Sequence, residues 1–219
     1  MDIQGTGVAV VTPFQKNQEV DEQALRSILR HLLKGKVEYL VMLGTTGESV
    51  TLSKDEKKRI IQVAQEETQG NTPLVIGAGG NNTQVVLQDL EAMDFTHCQG
   101  ILSVCPYYNK PNQEGIKAHY QTIADHSPVP VIIYNVPGRT GKNVEAGTTL
   151  ELAKHPNIQG IKEASGDLGQ VMDIIQNKPD DFQVVSGDDD MTLAYLGVGM
   201  EGVISVSANA FPYEMSEMV

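Results

Sequence analysis

Short runs of β-branched and other apolar residues recur eight times along the chain, at 8–11, 39–43, 74–76, 101–104, 131–134, 158–161, 182–185 and 203–206. Each run is strand-length, and neighbouring runs stand roughly 20 to 35 residues apart, which leaves room for one crossover helix between each pair. The intervening segments carry helical stripes and caps. Asp21 precedes Leu25, Ile28, Leu29, Leu32 and Leu33, and Ser53 with Glu56 forms a capping box ahead of Ile60, Ile61 and Ala64. Asn82 or Thr83, Asn112 and Asp167 open further helices, while 145–153 and 191–196 are weaker helical stretches. Strict alternation with strands apolar on both faces predicts a parallel sheet covered by helices. Eight such units favour a closed (β/α)8 TIM barrel over an open doubly wound sheet.

Length and composition bound the rest. The 219 residues include 40% hydrophobic ones and no linker or low-complexity tract, so residues 1–219 are expected to form a single catalytic barrel domain. A barrel of this kind runs to about 250 residues. Because 213–218 only begins an eighth helix, the chain is read as C-terminally truncated. Sixteen Lys and Arg against 28 Asp and Glu give a net charge of −12, which repels phosphate backbones and anionic lipid, so neither nucleic acid nor membrane is an expected partner. Cys98 and Cys105 lack disulfide or zinc-site spacing, and no basic-then-apolar leader follows Met1, so a cytoplasmic location is expected.

In a parallel barrel the chemistry sits where strands end at their C-terminal side. Lys162 follows Ile158-Gln159-Gly160-Ile161, and period-two alternation puts Gly160, Lys162 and Ala164 on one face. Two readings fit that spacing. A long side chain enclosed in the barrel loses hydration, its amine is kept neutral, and it attacks a carbonyl to form a Schiff base; alternatively it is an ordinary strand-end lysine that reaches solvent or pairs with Glu163. Tyr134, ending the preceding strand, is the candidate proton carrier, and Thr45 and Tyr108 could extend it into a relay; each hydroxyl could equally be a core or rim group bonded to backbone. Arg139, in a Pro-Gly turn, offers a forked donor for a carboxylate, or is a solvated loop residue. The 44–47 turn could present N–H groups to another carboxylate, or serve chain reversal alone.

Other signals carry less. Gly77-Ala78-Gly79-Gly80 lacks dinucleotide or phosphate-loop spacing. Asp188-Asp189-Asp190 has no matching acidic cluster and reads as a helix cap in a solvated loop, and the five histidines show no ligand pairing. A reaction with no metal and no cofactor is expected.

Taken together, Gly44-Thr45-Thr46-Gly47-Glu48-Ser49, Tyr134-Asn135-Val136-Pro137-Gly138-Arg139-Thr140 and Ile161-Lys162-Glu163-Ala164-Ser165-Gly166 resemble the signatures of the dihydrodipicolinate synthase family, also called 4-hydroxy-tetrahydrodipicolinate synthase, over 7–218. The resemblance implies a (β/α)8 barrel and a class I aldolase-type lyase of lysine biosynthesis through diaminopimelate, whose substrates are pyruvate and aspartate 4-semialdehyde. Pyruvate would condense on Lys162; Tyr134, Thr45 and Tyr108 would relay protons, Tyr108 by reaching into a neighbouring subunit's site. Thr46 would hold the pyruvate-derived carboxylate and Arg139 that of the semialdehyde. Gly187 and Ile204 match positions that line the pyruvate pocket through backbone atoms. A homotetramer, as a dimer of dimers, is the implied assembly.

Two departures accompany the resemblance. Full-length members continue through the eighth helix into a helical subdomain that this sequence lacks. Lysine-inhibited members carry other polar groups where this chain has Lys54, Lys57 and Val85, and only Asn81 and Tyr107 fit their pattern, so weak or absent lysine inhibition is expected. The alternatives are a related lyase acting on N-acetylneuraminate or a 2-keto-3-deoxy sugar acid, for which Arg139 is the discriminating cation, and a non-catalytic barrel.

Overall fold

The computed structural model describes residues 1–219, and all eight predicted strands are present. They are β1 (Gly5–Ala9), β2 (Tyr39–Met42), β3 (Leu74–Gly77), β4 (Cys98–Val104), β5 (Val131–Asn135), β6 (Ile158–Glu163), β7 (Gln183–Ser186) and β8 (Gly202–Ser205). Each pairs in parallel with its neighbours in chain order, and β8 pairs with β1, so the sheet closes into a barrel. Helices follow as α1 (Glu22–Lys34), α2 (Lys54–Thr68), α3 (Thr83–Glu91), α4 (Gln113–His126), α5 (Pro137–Thr140), α6 (Ala146–Leu152), α7 (Leu168–Asn177), α8 (Thr192–Gly197) and α9 (Pro212–Met218).

Local chemistry sets the helix starts. Asp21, Asn82, Asn112 and Asp167 each accept a backbone N–H of the first turn, and Ser53 with Glu56 forms a reciprocal capping box. α9 approaches α1 so closely that a Cβ on Gly35 would stand 2.5 Å from the Pro212 ring.

The first strand starts earlier than its apolar run, at Gly5 rather than Val8. Glycine is a poor strand former, yet here the barrel interior demands it: a Cβ on Gly7 would stand 2.2 Å from the ring of Tyr39. Tyr39, Ile3, Val75, Leu102, Ile132, Val185 and Ile204 fill the interior, and further apolar layers lie between strands and helices. Met1–Ile3 plug the N-terminal end, where the Ile3 N–H donates to Gln183 Oε1 at 2.9 Å and a Cβ on Gly160 would meet Ile3. With that end filled, the open space lies at the C-terminal end of the strands. No helix is long and apolar enough to cross a membrane.

Candidate active site at the barrel mouth

β6 carries Lys162 into the barrel. Its side chain is 4% exposed, and Gly187 leaves the room beside it. A Cβ at Gly187 would stand 2.7 Å from Ala164 Cβ and 2.9 Å from Lys162 Cε, so only a glycine fits this face of the lysine. The Gly187 N–H donates to Glu163 O at 2.8 Å, so its amide is already engaged.

Tyr134 is the register partner of Lys162 on β5, and Lys162 Nζ lies 4.5 Å from its ring centroid. An ammonium there gains from the ring face, while a neutral amine there is poised beside a phenol. Burial pulls the Lys162 amine down to about 8; Asp189 and Asp188 push it back up, and Arg139 lowers it. Burial pushes the Tyr134 phenol up, the Arg139 charge pulls it down, Asp188 raises it and the Thr45 side chain lowers it. Six groups from the ends of four strands therefore act on one another across the barrel mouth.

Thr45 sits in a turn that its neighbours shape. β2 leaves the sheet at Leu43 with φ 59°, a left-handed conformation that costs a non-glycine residue about 1–2 kcal/mol. Hydrogen bonds from Gly47 N to Gly44 O and from Glu48 N to Thr45 O close the turn, and buried Thr12 Oγ1 donates to Gly47 O at 2.7 Å. Gly47 is required because a Cβ would stand 2.9 Å from Val10 O.

Arg139 is exposed on α5, which Pro137 begins and Gly141, at φ 68°, ends. Thr45, Tyr134 and Arg139 share the wall of one cavity of about 470 Å³, together with Gly44, Val136 and Tyr107. Ile204 is fully buried in the same interior layer as Tyr134. Thr46, on the Thr45 turn, is half-buried and does not belong to that wall. Tyr108 does not either: it is 89% exposed, at φ 69°, and projects away from its own chain.

Two features differ from the sequence expectation. Glu163 does not pair with Lys162; alternation sends it to the outer face of β6, where it is fully buried and accepts from Asn135, Ser165 and Gln170. Asp189 does not cap its own helical turn; Asp189 Oδ2 accepts from the N–H groups of Val206 and Ser207 and from Ser207 Oγ, tying the end of β7 to the end of β8. Sequence reasoning passes over Asn135 and Gln170. The signal available for Asn135 was a polar side chain on the outer face of a strand otherwise buried throughout.

The sequence profile of the Dihydrodipicolinate synthetase family matches residues 2–219. A 4-hydroxy-tetrahydrodipicolinate synthase of Flavobacterium psychrophilum is 54% identical over 216 residues, covering 98% of this chain and 74% of that protein. A solved monomeric dihydrodipicolinate synthase variant superimposes with a TM-score of 0.94 at 40% identity, covering 98% of this chain and 72% of that one. The dihydrodipicolinate synthase of Acinetobacter baumannii, solved as a complex with pyruvate, gives a TM-score of 0.95 at 38% identity, over 99% of this chain and 74% of that one.

Proposed function

Because the chain belongs to the dihydrodipicolinate synthetase family, we propose that its own residues carry out the family's reaction around Lys162. The chain is a class I aldolase-type lyase, a 4-hydroxy-tetrahydrodipicolinate synthase of the diaminopimelate route to lysine. In our reading the neutral Lys162 amine attacks C2 of pyruvate, and the carbinolamine loses water to give an imine. Loss of a C3 proton gives the enamine, whose C3 bonds to the aldehyde carbon of aspartate 4-semialdehyde. The semialdehyde's own amino group then attacks C2 and displaces Lys162, which closes the ring and restores the amine.

Tyr134 is assigned the proton transfers, with Thr45 as the next hydroxyl outward. Tyr108, exposed on this chain, is assigned the last place in the relay within a neighbouring subunit, as part of a dimer-of-dimers tetramer. Arg139 is assigned the semialdehyde carboxylate and Thr46 the pyruvate-derived one. Gly187 is assigned the pocket floor through its carbonyl, and Ile204 the apolar packing under the site. A cytoplasmic location fits the two unpaired cysteines.

The observation that carries this reading is the buried Lys162 amine 4.5 Å from the Tyr134 ring centroid. Incubation with pyruvate, borohydride reduction and peptide mass mapping test it: the adduct is expected on Lys162, and an adduct elsewhere, or none, removes the mechanism. Comparing aspartate 4-semialdehyde with N-acetylmannosamine as acceptor then separates this activity from that of a sugar-acid lyase.

A further inference from the structure

Directly behind the site, on the outer face of the barrel, lies a buried polar network that the mechanism does not use. Asn135 and Glu163 are register partners one step beyond Tyr134 and Lys162, and both are fully buried. Asn135 Nδ2 donates to both Glu163 oxygens, at 3.1 and 3.0 Å. Glu163 also accepts from the Ser165 N–H at 2.7 Å and from Gln170 Nε2 at 3.0 Å. Every partner of this carboxylate is a neutral donor, and no cation pairs with it. Its negative charge is held by amides alone.

The same asparagine closes the excursion that carries Arg139. The chain leaves β5 after Asn135, runs through α5 and returns at Asn143 and Val144. The Val144 N–H donates to Asn135 Oδ1 at 2.9 Å, and Asn135 Nδ2 donates to Asn143 Oδ1 at 2.7 Å. The Val144 N–H fixes which way the amide points: its oxygen must face Val144, so its nitrogen must face Glu163.

We infer that Asn135 and Glu163 are positioning residues: together they lock the β6 end bearing Lys162, the β5 end bearing Tyr134 and the turn bearing Arg139 into one rigid unit. Nucleophile and carboxylate clamp sit on different segments, so a condensation between two separately bound partners needs their spacing fixed. The roles at stake rest on the proposed function; the lock itself does not.

Donor and acceptor logic supplies the test. Glu163→Gln puts an amide NH2 against donors on every side. If Asn135 turns its oxygen toward that NH2, its own NH2 meets the Val144 N–H and the turn opens. Asn135→Asp sets two carboxylates face to face. The double variant restores a carboxylate facing an amide, with the charge moved to β5, where it accepts from the Val144 N–H as well. The amides of Asn143 and Gln170 turn with it: Asn143 Nδ2 then donates to the new carboxylate at 135, Gln170 Nε2 to Asn143 Oδ1, and the new NH2 at 163 to Gln170 Oε1, at the loss only of the long bonds to Val144 O.

Deuterium exchange of the backbone amides of 137–144 is expected to quicken about tenfold or more in each single variant and to return to within about threefold of the parent in the double. In steady-state kinetics the KM for aspartate 4-semialdehyde should rise in the singles and recover in the double, a split that general loss of folded protein would not produce. Exchange within about twofold of the parent in both singles overturns the inference. So does a double variant no better, in exchange or in folding, than the worse single. Pyruvate trapping on Lys162 in the parent reads the proposed function separately: its failure removes the reaction and leaves the exchange result to judge the lock.

Discussion

Tyr134 and Lys162 face each other as register partners on adjacent parallel strands, with the amine 4.5 Å from the centre of the phenol ring. The pairing is a property of the backbone. Alternation points both side chains inward, and closure of the barrel removes them from water together. The network on the opposite face, through Asn135 and Glu163, holds the same two strands one residue further along.

Capture of pyruvate should depend on pH through the Lys162 amine. Burial lowers its pKa to about 8, so the neutral, nucleophilic form grows as pH rises through that value. Adduct formation under borohydride should therefore increase about tenfold per pH unit well below 8 and level off above it. Because Asp188 raises the amine's pKa, Asp188→Asn should move the midpoint to lower pH. An unchanged profile in that variant, or a parental midpoint near that of a free lysine, contradicts the assignment.

Gly187→Ala should damage the nucleophile with little effect elsewhere. The new Cβ would stand 2.9 Å from Lys162 Cε and 2.7 Å from Ala164 Cβ, so the lysine must leave its position. Overpacking of this kind costs about 1–3 kcal/mol, a fall of a few degrees in melting midpoint for a chain of this length. Adduct formation should fall by about tenfold or more, since sub-ångström placement governs attack. Thermal melts and trapping rates on the same samples separate the two effects.

The sequence displays the scaffold better than the shell around the site. Strands β2 to β8 announce themselves because strands buried on both faces are continuous apolar runs. The starts of β1 and β4 do not, because Gly5 and Gly7 serve the packing of Glu38 and Tyr39, and Gly100 that of Met1, rather than strand propensity. Lys162, Tyr134 and Arg139 are legible since each is a reactive group at a strand end. Glu163 and Asn135 are not, because their partners Gln170, Asn143 and Val144 come together only once α7 packs beside the segment leading into α6. α5 escapes for a simpler reason: it is four residues long and has no side-chain cap.

Arg139→Ala should separate the two half-reactions. The guanidinium is exposed on α5 while Lys162 is buried, so losing the former leaves the latter's packing intact. A hydrogen bond to a charged group contributes about 1.5–3 kcal/mol, which corresponds to roughly a 10- to 150-fold loss in kcat/KM for aspartate 4-semialdehyde. Pyruvate trapping should proceed at close to the parental rate, slightly slower below about pH 8, because loss of the Arg139 charge lets the Lys162 pKa rise a little. A matching loss in both steps counts against a carboxylate-binding role.

Lysine should inhibit the condensation weakly or not at all. The same cavity is also lined by Ser49, Val50, Lys57, Val85, Asp89 and Tyr107. An incoming lysine brings an ammonium that needs an anion. The acid on this wall, Asp89, is already paired with Lys54 at 3.1 Å, and Lys57 adds a like charge. Val85 offers no acceptor for an α-amino group. Initial rates at saturating pyruvate and semialdehyde should therefore stay within about twofold of the uninhibited rate up to about 1 mM lysine. Half-inhibition well below that concentration would mean that the cavity finds an anion elsewhere, and Asp89→Asn would show whether breaking the Lys54 pair had supplied it.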